Sequence, residues 1–240
     1  MTKTTIIDYE HDGKVFEAYV AAPTLDRARP AVMICHAWAG RGEHEEAIAN
    51  RLAELGYVGI ALDLYGKGVR GQSNEECLAL MTPLTENRAL LQDRLKQAIT
   101  AVHRQDYVQA DNTVIAGYCF GGLCALDAAR SNAPVLGAAS FHGLLGKPDN
   151  LDGQKISAKI IIFHGFDDPM VPPQDLIAFA NEMTEAGADW QIHAYGNTMH
   201  AFTNKAANDP DFGTVYSERA DKRSFESFNN FLEEVLRHLS

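Results

Sequence analysis

Several features are scarce or missing. No run is long and apolar enough to span a bilayer, and the opening MTKTTIIDYEHDGK lacks the apolar core of a secretory signal. A soluble, cytoplasmic protein with no membrane partner is expected. Cysteine is sparse. Cys35, Cys77, Cys119 and Cys124 show neither CxxC metal spacing nor the density of a disulfide framework, so free thiols and no bound metal are expected. Cations are outnumbered, with 21 Lys and Arg against 32 Asp and Glu and a net charge of −11. Nucleic acid and anionic membranes are bound through clustered Lys and Arg, so neither is an expected partner. No repeat, low-complexity tract or linker-like composition shift interrupts the 240 residues, and a single domain over 1–240 is the expectation. Oligomeric state is not written in such features; monomer and homodimer both remain open.

What is present is a change of periodicity along the chain. Residues 4–10 and 14–21 alternate apolar and polar on either side of His11-Asp12-Gly13, which reads as an antiparallel hairpin. Continuous apolar runs follow at 31–35, 57–62, 113–116, 135–141, 159–164 and 190–195, the composition of strands buried on both faces. Helical spacing fills the gaps at 43–55, from Pro83 to about His103, and at 120–130, 173–186 and 217–239. Strands alternating with helices predict an α/β fold: a mostly parallel central sheet with helices on both faces and the hairpin at its N-terminal edge. Loops at 63–73, 143–157 and 202–216 fall at carboxyl ends of strands, where such sheets place their sites.

One of these strand ends carries chemistry. In Gly117-Tyr118-Cys119-Phe120-Gly121-Gly122 a cysteine stands between a strand and a helix with glycine two residues to either side. This is the setting of a nucleophile elbow, with Cys119 in the nucleophile's place. Larger side chains at the flanking positions would collide in so sharp a turn, and the following helix aims its free N–H groups at the sulfur, which favours the thiolate. Cys124 lies within the helix and reads as core.

A nucleophile needs a base, and the base needs a group that orients it. His200, in GNTMHAF just past the strand 190–195, sits on the same rim as Cys119; His142 is the second choice, while His164 and His193 read as structural. The turn HGFDDPMVP supplies Asp167 and Asp168, of which only one can face the histidine. An oxyanion hole needs two backbone N–H groups. One is expected from Phe120, and the other from the glycine-bearing loop HAWAGRGEH after residues 31–35.

GYCFGG, HGFDDPMVP, HAF, ALDLYG and CHAWAG together resemble the dienelactone hydrolase family, and they span residue 31 to the end of the chain. The resemblance implies an α/β-hydrolase fold and a Cys119–His200–Asp168 triad, with Asp168 four residues before Pro172. It also implies a Trp38 N–H as the second oxyanion donor, no cofactor, and a small-molecule ester or lactone as substrate. Two positions depart from the family's founding members. Ala37 stands where they carry a glutamate beside the cysteine, and Asn204 stands where they carry a carboxylate-binding arginine. A less charged ester, lactone or thioester is therefore expected, in a pocket formed by Ala37, Tyr65, Arg88, Phe202 and Asn204. With alanine at 37, activation of Cys119 falls to His200 and the helix N-terminus. A redox-responsive thiol protein and a ligand-binding module without turnover are the alternatives on the same fold. Ser140, in AASFHG, lacks the glycine elbow of a competing nucleophile.

Overall fold

The computed structural model describes residues 2–236. Strands β1 (Lys3–His11) and β2 (Lys14–Ala22) pair antiparallel through the expected hairpin. Asp12 and Gly13, both at positive φ, form its two-residue turn. There follow β3 (Arg29–Cys35), α1 (Glu43–Glu54), β4 (Val58–Leu62), α2 (Asn74–Glu86), α3 (Arg88–His103), β5 (Val108–Tyr118) and α4 (Phe120–Arg130). Next come β6 (Gly137–Phe141), β7 (Lys159–Gly165), α5 (Pro173–Glu185), β8 (Trp190–Tyr195), the short β9 (Asn208–Asp209) and β10 (Thr214–Val215), and α6 (Glu218–Val235). Residues 237–239 of the expected last helix lie outside the described residues.

The eight-stranded sheet runs in the order β1-β2-β4-β3-β5-β6-β7-β8. Only the β1·β2 and β2·β4 pairs are antiparallel; β4, β3, β5, β6, β7 and β8 pair in parallel. This is the mostly parallel, α/β-hydrolase-like sheet expected. Alternate residues of each central strand face opposite layers, as the period of two requires. Met33, Ile60, Ile115, Ala138 and Ile162 join one apolar cluster with residues of α3, α4 and α5. Val32, Ile34, Val114, Phe141 and Phe163 join the other, with Phe225, Phe228, Phe231 and Leu232 of α6.

Two regions depart from the sequence reading: 202–216, expected as a loop, holds β9 and β10, and the helix expected from Pro83 is differently bounded. Pro83 does not begin a helix; it lies inside α2, which starts nine residues earlier at Asn74. The Ser73 side chain caps α2 by accepting from Glu76 N at 3.2 Å. A second cap, Asn87, accepts from Leu90 N at 3.0 Å and starts α3 separately. Proline removes one backbone donor from α2, and burial of Cys77 and Leu84 holds the helix nonetheless.

Candidate active site

The carboxyl ends of β3, β5, β6, β7 and β8 converge on one cavity of about 520 Å³. Cys119 follows β5 directly and is the N-cap of α4, with φ +56° and ψ −118°. A non-glycine residue in this region is strained, and the surroundings hold it there. Cys119 N donates to Phe141 O at 3.0 Å, and Gly122 N donates to Cys119 O at 2.9 Å. The flanking glycines are sterically required. A Cβ on Gly117 would lie 2.0 Å from Gly121 O, and one on Gly121 would lie 2.1 Å from Cys35 O. The half-buried Cys119 side chain lines the cavity, whereas Cys35, Cys77 and Cys124 are buried free thiols.

The two aspartates of the β7 turn divide their work. Asp168 is buried; its Oδ2 lies 2.7 Å from His200 Nδ1, and its Oδ1 accepts from Met170 N at 2.8 Å. Asp167 is exposed and ties the turn to the loop after β8, its Oδ2 accepting from Thr198 N at 3.1 Å. The backbone of His200 is clamped on both sides. His200 N donates to Gly213 O at 3.0 Å, and Val215 N donates to His200 O at 3.1 Å.

Burial alone would lower the His200 imidazole. The Cys119 sulfur and the Asp168 carboxylate outweigh it and push the ring up to about 10. His200 Nε2 has no hydrogen-bond partner of ordinary geometry, and the Cys119 sulfur raises the ring chiefly by its charge, with a weaker hydrogen-bonding contribution. His142, the second choice for the base, has a different environment. Burial, then the neighbouring His200 and His44, hold it well below the usual imidazole range. Its Nε2 is 2.8 Å from Thr203 Oγ1, and its ring packs edge-on against His200 at 5.1 Å. His164 is buried near the end of β7, and His193 packs against Phe163 from the sheet edge.

The loop after β3 brings Trp38 to the same cavity. Neither the Trp38 nor the Phe120 backbone N–H has an acceptor among the described residues. Glu45, in the first turn of α1 and 3% exposed, braces this loop from behind. Its carboxylate accepts from Ala37 N at 3.3 Å and from Gly42 N at 2.9 Å. The sequence offers only a weak trace of this role, an acidic residue three positions after a glycine N-cap.

Of the expected pocket residues, Ala37 and Asn204 line the cavity and the others do not. Tyr65 is buried behind the loop, stacked on Phe120 at 5.9 Å, with its hydroxyl donating to Trp38 O at 3.0 Å. Arg88 is drawn away by the buried Asp127, to which its Nε donates at 2.6 Å. Phe202 is fully buried against the rings of His142 and Tyr195. The missing wall comes from α2, whose Asn74, Leu78 and Met81 share one face at helical spacing. Leu144, Met170 and Phe212 complete the apolar lining, with Phe212 stacked on Trp38 at 6.2 Å. The spacing of Asn74, Leu78 and Met81 was the available signal for that wall.

A family model described as the dienelactone hydrolase family matches residues 16–236. A Bradyrhizobium protein described as a probable 2-oxo-3-(5-oxofuran-2-ylidene)propanoate lactonase is 28% identical over 206 residues, covering 82% of this chain and 82% of that protein. The solved structure m3DLH superposes with a TM-score of 0.93 at 30% identity, covering 98% of this chain and 99% of the other. The dienelactone hydrolase-like promiscuous phosphotriesterase P91, from metagenomic libraries, superposes with a TM-score of 0.92 at 27% identity, covering 98% and 99%.

Proposed function

The chain belongs to the dienelactone hydrolase family, and on that premise we propose that this carboxylic ester hydrolase uses Cys119 as nucleophile, His200 as proton carrier and Asp168 as the group that orients His200. The observation that carries the reading is the 2.7 Å contact between His200 Nδ1 and Asp168 Oδ2, in the cavity that Cys119 also lines. The substrate class is a small ester or lactone.

His200, raised by the sulfur and the carboxylate, accepts or already holds the Cys119 proton. Cys119 Sγ adds to the acyl carbon, and the carbonyl electron pair moves to oxygen. The backbone N–H groups of Phe120 and Trp38 donate to that oxyanion. Collapse breaks the acyl–oxygen bond, and the departing alkoxide takes the proton from His200 Nε2. An ester releases its alcohol at this point; a lactone keeps the alcohol tethered to the acyl group. Forming the thioester removes the negative charge from sulfur, one of the two influences that raised His200, so the ring falls and becomes a base. His200 then takes a proton from water as the hydroxide adds to the thioester carbon. Collapse breaks the carbon–sulfur bond, releases the acid and restores the protonated pair. Asp168 holds the ring in one tautomer throughout.

The test is intact-mass measurement within seconds of mixing with a small activated ester, beside the Cys119→Ala variant. An acyl adduct that requires Cys119 and decays on standing is expected. No adduct and no ester consumption would refute the reading in favour of a redox or binding role for the thiol.

A further inference from the structure

We propose that this cavity selects uncharged, apolar acyl substrates and turns away esters and lactones that carry a carboxylate; this rests on the Cys119 hydrolase reading above. Its walls are Trp38, Leu78, Met81, Leu144, Met170 and Phe212, and no lysine or arginine occurs among the described lining residues. The one carboxylate in the lining, Asp209, adds negative charge at the exposed rim, on a chain of net charge −11.

The cations on the segments bordering the site lie outside its lining. Arg88 is bound to Asp127 and to Gly146 O. Arg41 pairs with Glu17 and Glu46. The Arg70 guanidinium fills the space over Gly42, on the loop braced by Glu45. Lys205 follows Asn204 in sequence, lies outside the lining and acts on Asp221. Among the lining histidines, His200 has its charge matched by Asp168 and the sulfur, burial keeps His142 neutral, and His44 packs edge-on against Tyr118.

A substrate carboxylate entering this cavity would lose water and find no unmatched cation in return. An apolar acyl chain would displace water from Leu78, Met81 and Leu144 and gain by it. Selection then follows from what the walls lack as much as from what they offer.

The experiment compares 4-nitrophenyl methyl adipate with its free acid, mono-4-nitrophenyl adipate, at about pH 8, above the ordinary imidazole value of about 6.5. The two differ only in whether the far carboxyl is capped. The methyl ester should exceed the acid in kcat/KM by about 100-fold or more, given the cost of burying an unpaired carboxylate. Added salt should raise turnover of the acid and leave the methyl ester unchanged. Met81→Arg and Asn204→Arg should each narrow the gap by about tenfold by raising kcat/KM for the acid. Rates for acid and methyl ester within about threefold, with acyl-Cys119 forming from both, would overturn the selection and leave the hydrolase reading standing. Absence of nitrophenolate and of acyl-Cys119 with either compound would overturn both.

Discussion

Replacing Glu45 by glutamine tests how the loop carrying Trp38 is held. The Glu45 carboxylate is buried and accepts from two backbone N–H groups, Ala37 N at 3.3 Å and Gly42 N at 2.9 Å. Glutamine keeps one carbonyl oxygen and points an NH2 group at the other donor, so one buried N–H loses its acceptor. Such a loss costs about 1–3 kcal/mol, which for a chain of this size is a fall in Tm of roughly 2–12 °C. The functional effect follows from position. Trp38 is the residue after Ala37, so a loosened Ala37 misplaces the proposed second oxyanion donor. Complete loss of one such donor costs about 10²–10³ in kcat, so a partial displacement should lower kcat by roughly 10–100-fold while KM changes little. Thermal melting by circular dichroism and steady-state turnover of an activated neutral ester check the two halves. A Glu45→Gln protein that melts like the parent and turns over at the parent rate would refute the idea that this carboxylate holds the loop.

Asp168→Asn should leave the protein folded and lower kcat on the order of 10³–10⁴-fold, because His200 Nδ1 loses its carboxylate and the ring its tautomer. With an acyl-enzyme trapped on Cys119, deacylation should rise with pH through a midpoint well below 10, since the sulfur no longer raises His200; a midpoint at or above 10 would contradict the proposed exchange of roles. Gly121→Ala puts a Cβ 2.1 Å from the Cys35 carbonyl oxygen, so soluble protein with intact turnover would count against the steric account of the elbow. Asp127→Ala strips the ion-pair partner from Arg88 and one partner from the buried Arg130, and urea denaturation should show a loss of about 3–5 kcal/mol.

The glycine-flanked turn at Cys119 was legible because its requirements are local. A strand, a helix and glycines at fixed offsets specify the backbone at Cys119, and the structure shows the φ of +56° that those glycines accommodate. The hairpin was legible for the same reason, through strict alternation around Asp12-Gly13. The order of Cys119, Asp168 and His200 along the chain followed from strand ends on a parallel sheet. The choice between the two aspartates was not local: the turn seats Asp168 in the interior beside His200 and leaves Asp167 at the surface.

The start of α2 was misread because proline more often opens a helix than sits inside one. Its stability comes from packing Cys77 and Leu84 rather than from its own propensities, and packing is a property of the assembled fold. The same holds for the pocket. Phe202 is only two residues from His200, yet the left-handed Ala201 between them sends the chain into the core rather than the cavity. Arg88 pairs with Asp127, 39 residues further on, an electrostatic choice that no local pattern announces. Sequence by itself determined the α/β pattern of the sheet, the glycine-flanked turn and the candidate reactive groups, because each is written in residues a few positions apart. Which side chains face the substrate was decided only when β3, α2, β5, β6, β7 and β8 brought their ends together, since a cavity is a relation between segments distant in the chain.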